Sequence, residues 1–193
     1  MSDIKFEQFS RVCLKLKYSS LAYLVFSWLV AISTALVNVS VSDISFYLYE
    51  ISLYIQFPIM LISLYFTWQW LKKLYTFSKD VDKDKSLTYR TGWSFWGWIV
   101  PIAFFWIPRK MIDQSFSVLG RDKKNTLESV TKNWNTLWVI SILVSNLSFR
   151  AFENDLFSVD LILVVIESVL LTFAYPMWIK IIDNSNTLVL QNK

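Results

Sequence analysis

The sequence predicts an all-α integral membrane protein with four transmembrane helices. A re-entrant or interfacial Trp/Pro-rich hairpin is expected between the second and third spans. Three observations carry that prediction. Long charge-free apolar runs recur along the chain, and such runs select the bilayer as solvent. Lysine and arginine fall in blocks between those runs. One stretch, WSFWGWIVPIAFFWIP at residues 93–108, is aromatic, uncharged and interrupted by proline.

The 193 residues suit a single membrane domain over 1–193. The chain is 54% apolar and 18% aromatic, above the range of soluble domains. A lone cysteine, Cys13, excludes an internal disulfide framework. The absence of histidine removes Ser-His-Asp triads, Cys-His pairs and His-dependent zinc sites. No catalytic, cofactor-binding or metal residues are assigned, and no cofactor is expected.

The first span is expected at about 18–39. Lys5, Arg11, Lys15 and Lys17 precede it, and Tyr18 to Ser42 carries no charge. That run exceeds a signal-peptide core, so an uncleaved anchor is expected. The second span is expected at about 46–71, charge-free from Ile51 onward. The third, 133–149, is short. The helical spacing of Leu127, Val130, Trp134 and Trp138 extends it on its N-terminal side. The fourth is expected at about 157–179. A helix rises about 1.5 Å per residue and needs roughly 20 residues to cross. None of these runs alternates as a barrel strand would.

The segment 91–108 is long enough for about 27 Å of helix, but Pro101 lies mid-segment, where proline removes a backbone donor. Charge arbitrates. The N-terminal tail carries four Lys and Arg, the loops 72–90 and 109–132 six each, the region 150–156 one and the C-terminal end two. If 91–108 crosses as a fifth, kinked span, the two sides hold eleven and eight cations. If it returns to its own side, they hold eighteen and one, as the positive-inside rule favours. The hairpin residues are Trp93, Trp96, Trp98, Pro101, Trp106 and Pro108. With Trp68, Trp70, Trp134, Trp138 and Trp178 they form an aromatic belt on the cytoplasmic side. Tyr47, Tyr49 and Tyr54 supply a thinner outer belt. Beyond the hairpin, Ile112, Phe116 and Leu119 share a face of a short helix expected to lie in the interface, with Gly120 as its stop.

The stretch Gly92-Trp93-Ser94-Phe95-Trp96-Gly97-Trp98-Ile99-Val100-Pro101, followed by Phe105-Trp106-Ile107-Pro108, resembles the bacterial membrane family called domain of unknown function 4328. The similarity extends more weakly from Trp70-Leu71-Lys72-Lys73 to the last span. Phe104 and Ile107 stand where the family tends to have Asn and Arg. Gln114, or Asp113, stands near its downstream acidic position. The resemblance implies a multi-span bacterial membrane protein and supplies no activity.

Glu167 lies near the middle of the last span. An ionised group there costs on the order of 3 kcal/mol on insertion scales, so the neutral acid is expected. Asp160, Glu167, Ser168, Thr172 and Tyr175 fall within an arc of about 140° on one helical face. Ser33, Gln56 and Ser141 lie at similar depth on other spans. The expected intramembrane polar site is Glu167, Ser168, Thr172 and Gln56; Asp160, on the same stripe, lies near the outer end, within reach of solvent. It reads either as a proton or cation site or as a neutral hydrogen-bonded glutamate joining helices.

Asp80-Val81-Asp82-Lys83-Asp84 begins like a calcium loop, but Lys85 replaces the required glycine and Thr91 the bidentate glutamate. A solvated charged loop is the better reading. The basic loops offer contact with anionic headgroups at roughly 1 kcal/mol per cation. Asn38-Val39-Ser40 and Asn146-Leu147-Ser148 match a glycosylation pattern but lie at or inside span ends. Cys13 reads as a plain cysteine rather than a lipidation site.

These features point to a non-catalytic accessory, assembly or sensing component of a bacterial cytoplasmic (inner) membrane. It is expected to be multi-pass, with cytoplasmic N- and C-termini. Its expected partners are the lipid bilayer and a membrane protein or a second copy of the chain, with no nucleic acid. The alternative is a transporter or channel subunit using Glu167 as a proton or cation site. A membrane enzyme ranks third.

Overall fold

The structure, a computed structural model, describes residues 3–39, 43–82, 86–120, 124–154 and 156–192. Lys83, Asp84 and Lys85 of the charged loop, Ser40 of one glycosylation pattern, and the cations Arg121, Lys123 and Lys193 lie outside the described residues. Among the described residues seven helices follow in order: α1 Asp3–Val39, α2 Asp43–Val81, α3 Trp93–Ile99, α4 Pro101–Phe104, α5 Ile107–Leu119, α6 Lys124–Glu153 and α7 Phe157–Gln191. Among the described residues all regular structure is helical.

Three helices, over Phe6–Val39, Asp43–Val81 and Ser158–Gln191, are long and apolar enough to cross a membrane. The fourth expected span lies within α6, which has 30 residues. α6 is not in that class, because Asn135, Thr136, Ser141, Ser145, Asn146 and Ser148 interrupt its apolar run. The helices outrun the predicted spans. α2 has 39 residues, and at about 1.5 Å per residue that is nearly twice the roughly 30 Å of a hydrocarbon core. Pro58 lies inside α2 and Pro176 inside α7. Long apolar helices tolerate such prolines where neighbouring groups satisfy the freed carbonyl.

The chain divides into two compact units. One comprises Met1–Tyr18, Leu64–Asn135 and Pro176–Lys193, the other Ser19–Ser63 and Thr136–Tyr175. Of the 19 Lys and Arg, only Arg150 belongs to the second. We call them the basic unit and the apolar unit.

The basic unit is packed around Leu16, Trp70, Leu71, Leu74, Tyr75, Met111, Ile112, Ile181 and Ile182, all fully buried. Trp178 joins two other indoles. Its ring stacks on Trp134 at 4.5 Å and meets Trp70 edge-on at 5.2 Å. The Trp70 Nε1–H donates to Ser185 Oγ at 2.9 Å, and Ser185 also hydrogen-bonds the Cys13 thiol. Trp70, Trp134 and Trp178 are therefore core residues rather than members of a belt: they are 0%, 4% and 6% exposed. The chain ends converge here. Ser10 Oγ donates to Asn186 Oδ1 at 2.7 Å, Lys17 pairs with Asp183, and Asn192 Nδ2 donates to the Leu119 carbonyl at 3.0 Å.

α5 starts earlier than the sequence suggested, at Ile107, with Pro108 in its first turn where no donor is needed. Its apolar face, including Met111, Ile112, Phe116 and Leu119, is buried against protein rather than laid on an interface. The stripe was legible, but its partner is the unit's own interior. Gly120 ends α5 as expected, though at φ −133°, which any residue adopts. A close approach favours glycine instead: a Cβ there would meet Leu188 Cδ2 at 2.9 Å, and the leucine would have to shift. Gly120→Ala is expected to cost about 1 kcal/mol as the buried Leu188 shifts, read as a fall of roughly 2–4 °C in a detergent melt.

In the apolar unit, Val30, Ala31, Val37, Tyr49 and Val164 form the core, with Trp28 against it. Small hydroxyls join its helices. Ser27 and Ser168 share a hydrogen bond at 2.9 Å, Trp28 Nε1 donates to Thr172 Oγ1 at 3.0 Å, and Ser52 Oγ donates to Ser33 Oγ at 3.2 Å. Hydroxyl pairs of this type hold apolar helices together where packing alone gains little over lipid.

Candidate functional site

Two arrangements stand out, one in each unit. The first is the aromatic-proline segment. α3 ends where Val100 turns extended at ψ 115°, because the residue before a proline avoids helical geometry. Pro101 opens α4, and a second bend at Phe105 and Trp106 leads into α5. α3, α4 and α5 pack on one another. Gly97 permits this, since a Cβ there would lie 3.2 Å from Ile107 Cγ2. Asn135 Nδ2 donates to the Phe105 carbonyl at 3.1 Å, tying α6 to the second bend. Trp96 and Trp106 are exposed, Trp93 and Trp98 half-buried, and Pro108 buried. Phe95 packs edge-on against Trp68 at 5.3 Å, and the Lys72 ammonium lies 5.5 Å from the Trp68 ring centre.

The two ends of the segment meet. Gln114 Nε2 donates to Thr88 Oγ1 at 2.7 Å, and Gln114 Oε1 accepts from the Thr88 amide at 3.4 Å. The buried Tyr75 hydroxyl bridges them, donating to Gln114 Oε1 at 3.2 Å and accepting from the Tyr89 amide at 2.9 Å. Sequence reading missed Tyr75 and Thr88 in this role, since neither stands in an apolar pattern or a motif. Asp82 holds the preceding loop, accepting from Ser86 Oγ at 3.0 Å and the Leu87 amide at 2.9 Å. That is turn chemistry, at a position where the sequence hinted at a calcium ligand. Asp113 accepts from Thr131 and lies 3.3 Å from Arg109 Nε. Burial pushes its carboxyl above the usual range, while Thr131 and Arg109 pull it back.

The second arrangement is a cavity of about 370 Å³ in the apolar unit. Glu167 and Gln56, both expected from sequence, line it together. Ser168 and Thr172 do not: their hydroxyls engage Ser27, Trp28 and their own helix. Of the partners expected at similar depth, Ser33 and Ser141 turn to backbone carbonyls of their own helices. Ser145 is the residue that hydrogen-bonds Glu167. Asp160 corrects the sequence reading most. It is not solvated but 2% exposed, because it turns inward to accept from the buried Ser148 Oγ on α6. Its Oδ1 takes that bond, and its buried Oδ2 has no hydrogen-bond partner. Asp160 lines the same cavity as Glu167, as a seven-residue spacing on one helix allows. Tyr23, Tyr49, Phe57, Phe149 and Phe152 supply aromatic walls.

A match to the family described as "Domain of unknown function (DUF4328)" covers residues 33–175, well over half of the chain. The chain belongs to the DUF4328 family. The match spans the whole aromatic-proline segment and the α2, α6 and α7 walls of the cavity, leaving Tyr23, Ser27 and Val30 outside it. No curated protein and no solved structure was found similar to this DUF4328 chain.

Proposed function

We propose that this DUF4328 chain is a non-catalytic, multi-pass accessory, assembly or sensing component of a bacterial cytoplasmic membrane. In this reading α1, α2, α6 and α7 each cross once. Both termini and the basic unit lie on the cytoplasmic side, and 91–108 is a re-entrant or interfacial hairpin. The observation that carries the reading is the Thr88–Gln114–Tyr75 bridge. A crossing helix would hold its two ends about 30 Å apart, so hydrogen bonds between them support a segment that returns to its own side. The placement of 18 of the 19 cations in the unit that contains this bridge supports the same orientation. Lys72, Lys73 and the exposed Lys110 then serve anionic headgroups. A membrane protein or a second copy of the chain is the partner class.

The test is sidedness. Cys13 is buried and is replaced by serine, and Ser129, exposed near the start of α6, becomes the single cysteine. Ser129→Cys is expected to resist a membrane-impermeant maleimide in intact cells and to react after lysis. Labelling in intact cells would make 91–108 a fifth span and overturn the proposal.

One observation favours a second reading, a transporter or channel subunit. Glu167 lines a cavity. Ion flux through reconstituted protein, abolished in Glu167→Gln, would favour it over the first.

A further inference from the structure

We infer that the cavity of the apolar unit binds a protonated primary amine carrying an apolar body, its ammonium seated on Asp160. The inference rests on the second reading above, that of a transporter or channel subunit with Glu167 at the cavity as a proton or cation site, and assigns the ligand class. Asp160 is 98% buried and lines the cavity, its Oδ1 is held by Ser148, and its buried Oδ2 has no hydrogen-bond partner. A buried acceptor left unpaired is costly, and an N–H donor would relieve it. The aromatic pair Tyr49 and Phe152, 5.5 Å apart, lines the same cavity, and aromatic rings attract a cation. Among the described residues no lysine or arginine lines the cavity to occupy that oxygen instead.

The geometry disfavours smaller cations. Glu167 lies seven residues beyond Asp160 on α7, about 10 Å along the axis, so one metal ion cannot bridge both carboxylates. Among the described residues no group of three or more acidic or thiol ligands gathers for a metal. A bare proton needs neither 370 Å³ nor five aromatic side chains. An amine with an aryl or alkyl body uses all of it. The ammonium donates to Asp160 Oδ2, the body lies along Leu53, Phe57 and Val164, and the far end reaches Gln56 and Glu167.

The experiment is calorimetric titration of the full chain in lipid nanodiscs with 2-phenylethylamine, against the neutral 2-phenylethanol. The amine is expected to bind about ten- to a hundredfold more tightly than the alcohol, the worth of a charged hydrogen bond. Asp160→Asn, which keeps an acceptor for Ser148, is expected to erase that preference. Glu167→Gln should weaken amine binding less. A second readout uses Leu53→Cys with Cys13→Ser. The amine is expected to slow maleimide labelling of Cys at 53, and the alcohol is not. This holds even if Asp160→Asn fails to accumulate. Equal binding or protection by the alcohol would overturn the inference, leaving a cavity that takes any apolar chain, lipid included. So would an unaltered amine affinity in Asp160→Asn, or no binding and no protection at all. Glu167-dependent ion flux without amine binding would sink the ligand assignment and leave the cation site standing. Amine binding without flux would retain the site and remove transport.

Discussion

Trp178→Ala is expected to be the most damaging single substitution among those considered, at about 3–5 kcal/mol. Its indole is the middle member of a three-tryptophan cluster, stacked on Trp134 and edge-on to Trp70. Both neighbours are buried, so the void left behind cannot fill with water or lipid without exposing them. The aromatic contacts themselves add about 0.5–1.5 kcal/mol per pair beyond burial. In a melt of detergent-solubilised protein the midpoint should fall by on the order of 10 °C. Trp178→Phe should recover roughly half, keeping a ring but losing its outer edge. A midpoint unchanged in Trp178→Ala would mean that the cluster is not the core of the basic unit. Trp28, half-buried in the other unit, is the internal comparison: its main bond is one indole N–H to Thr172, so its alanine variant should cost less.

Gln114→Leu is expected to cost about 2 kcal/mol and to loosen the aromatic-proline segment. The amide is the only group that serves Tyr75 and both the side chain and the backbone of Thr88 among the contacts described above. Leucine fills the space but strands the buried Tyr75 hydroxyl, while the exposed Thr88 groups turn to water. The second expected effect is local. Arg90, exposed just before α3, should be cut by trypsin several-fold faster in inside-out vesicles, since cleavage follows the population of the opened loop. Gln114→Glu keeps the acceptor and loses the donor to Thr88 Oγ1, so its effect should be intermediate. If Gln114→Leu melts and digests like wild type, the bridge does not hold the two ends, and the main support for a hairpin is lost.

The sequence made the architecture legible where its physics is one-dimensional. Charge-free runs gave the three apolar helices, and proline placed the break between α3 and α4 within one residue. The cations of the N-terminal tail, the loops flanking the aromatic-proline segment and the C-terminal end fall in one unit. What it could not supply was which apolar surface meets which. Trp70, Trp134 and Trp178 look like interfacial residues one at a time, and only folding stacks them on each other. The residues expected at an intramembrane polar site divide between a cavity and the helix packing. Glu167 and Gln56 are conspicuous in apolar runs and do line one cavity. Ser168 and Thr172 share the stripe but are absorbed by α1 through Ser27 and Trp28. Asp160 was on the stripe too. Its position near a helix start suggested solvent, while the decisive fact, Ser148 reaching across from α6, lies in another helix.

The pairing of the chain ends has a consequence for biogenesis. Ser10 bonds Asn186, Lys17 pairs with Asp183, and the end of α5 is held by Asn192. The basic unit therefore cannot close until the last residues of α7 have left the ribosome. Contacts this distant in sequence form late, after the loop entropy of nearly the whole chain has been overcome. Until then the indoles of Trp70 and Trp134 and the apolar face of α5 wait uncovered in the nascent protein. Such surface is the ordinary target of insertion and quality-control machinery. A ribosome stalled before Trp178 emerges would present a chain with its helices already made and its tryptophan core still open.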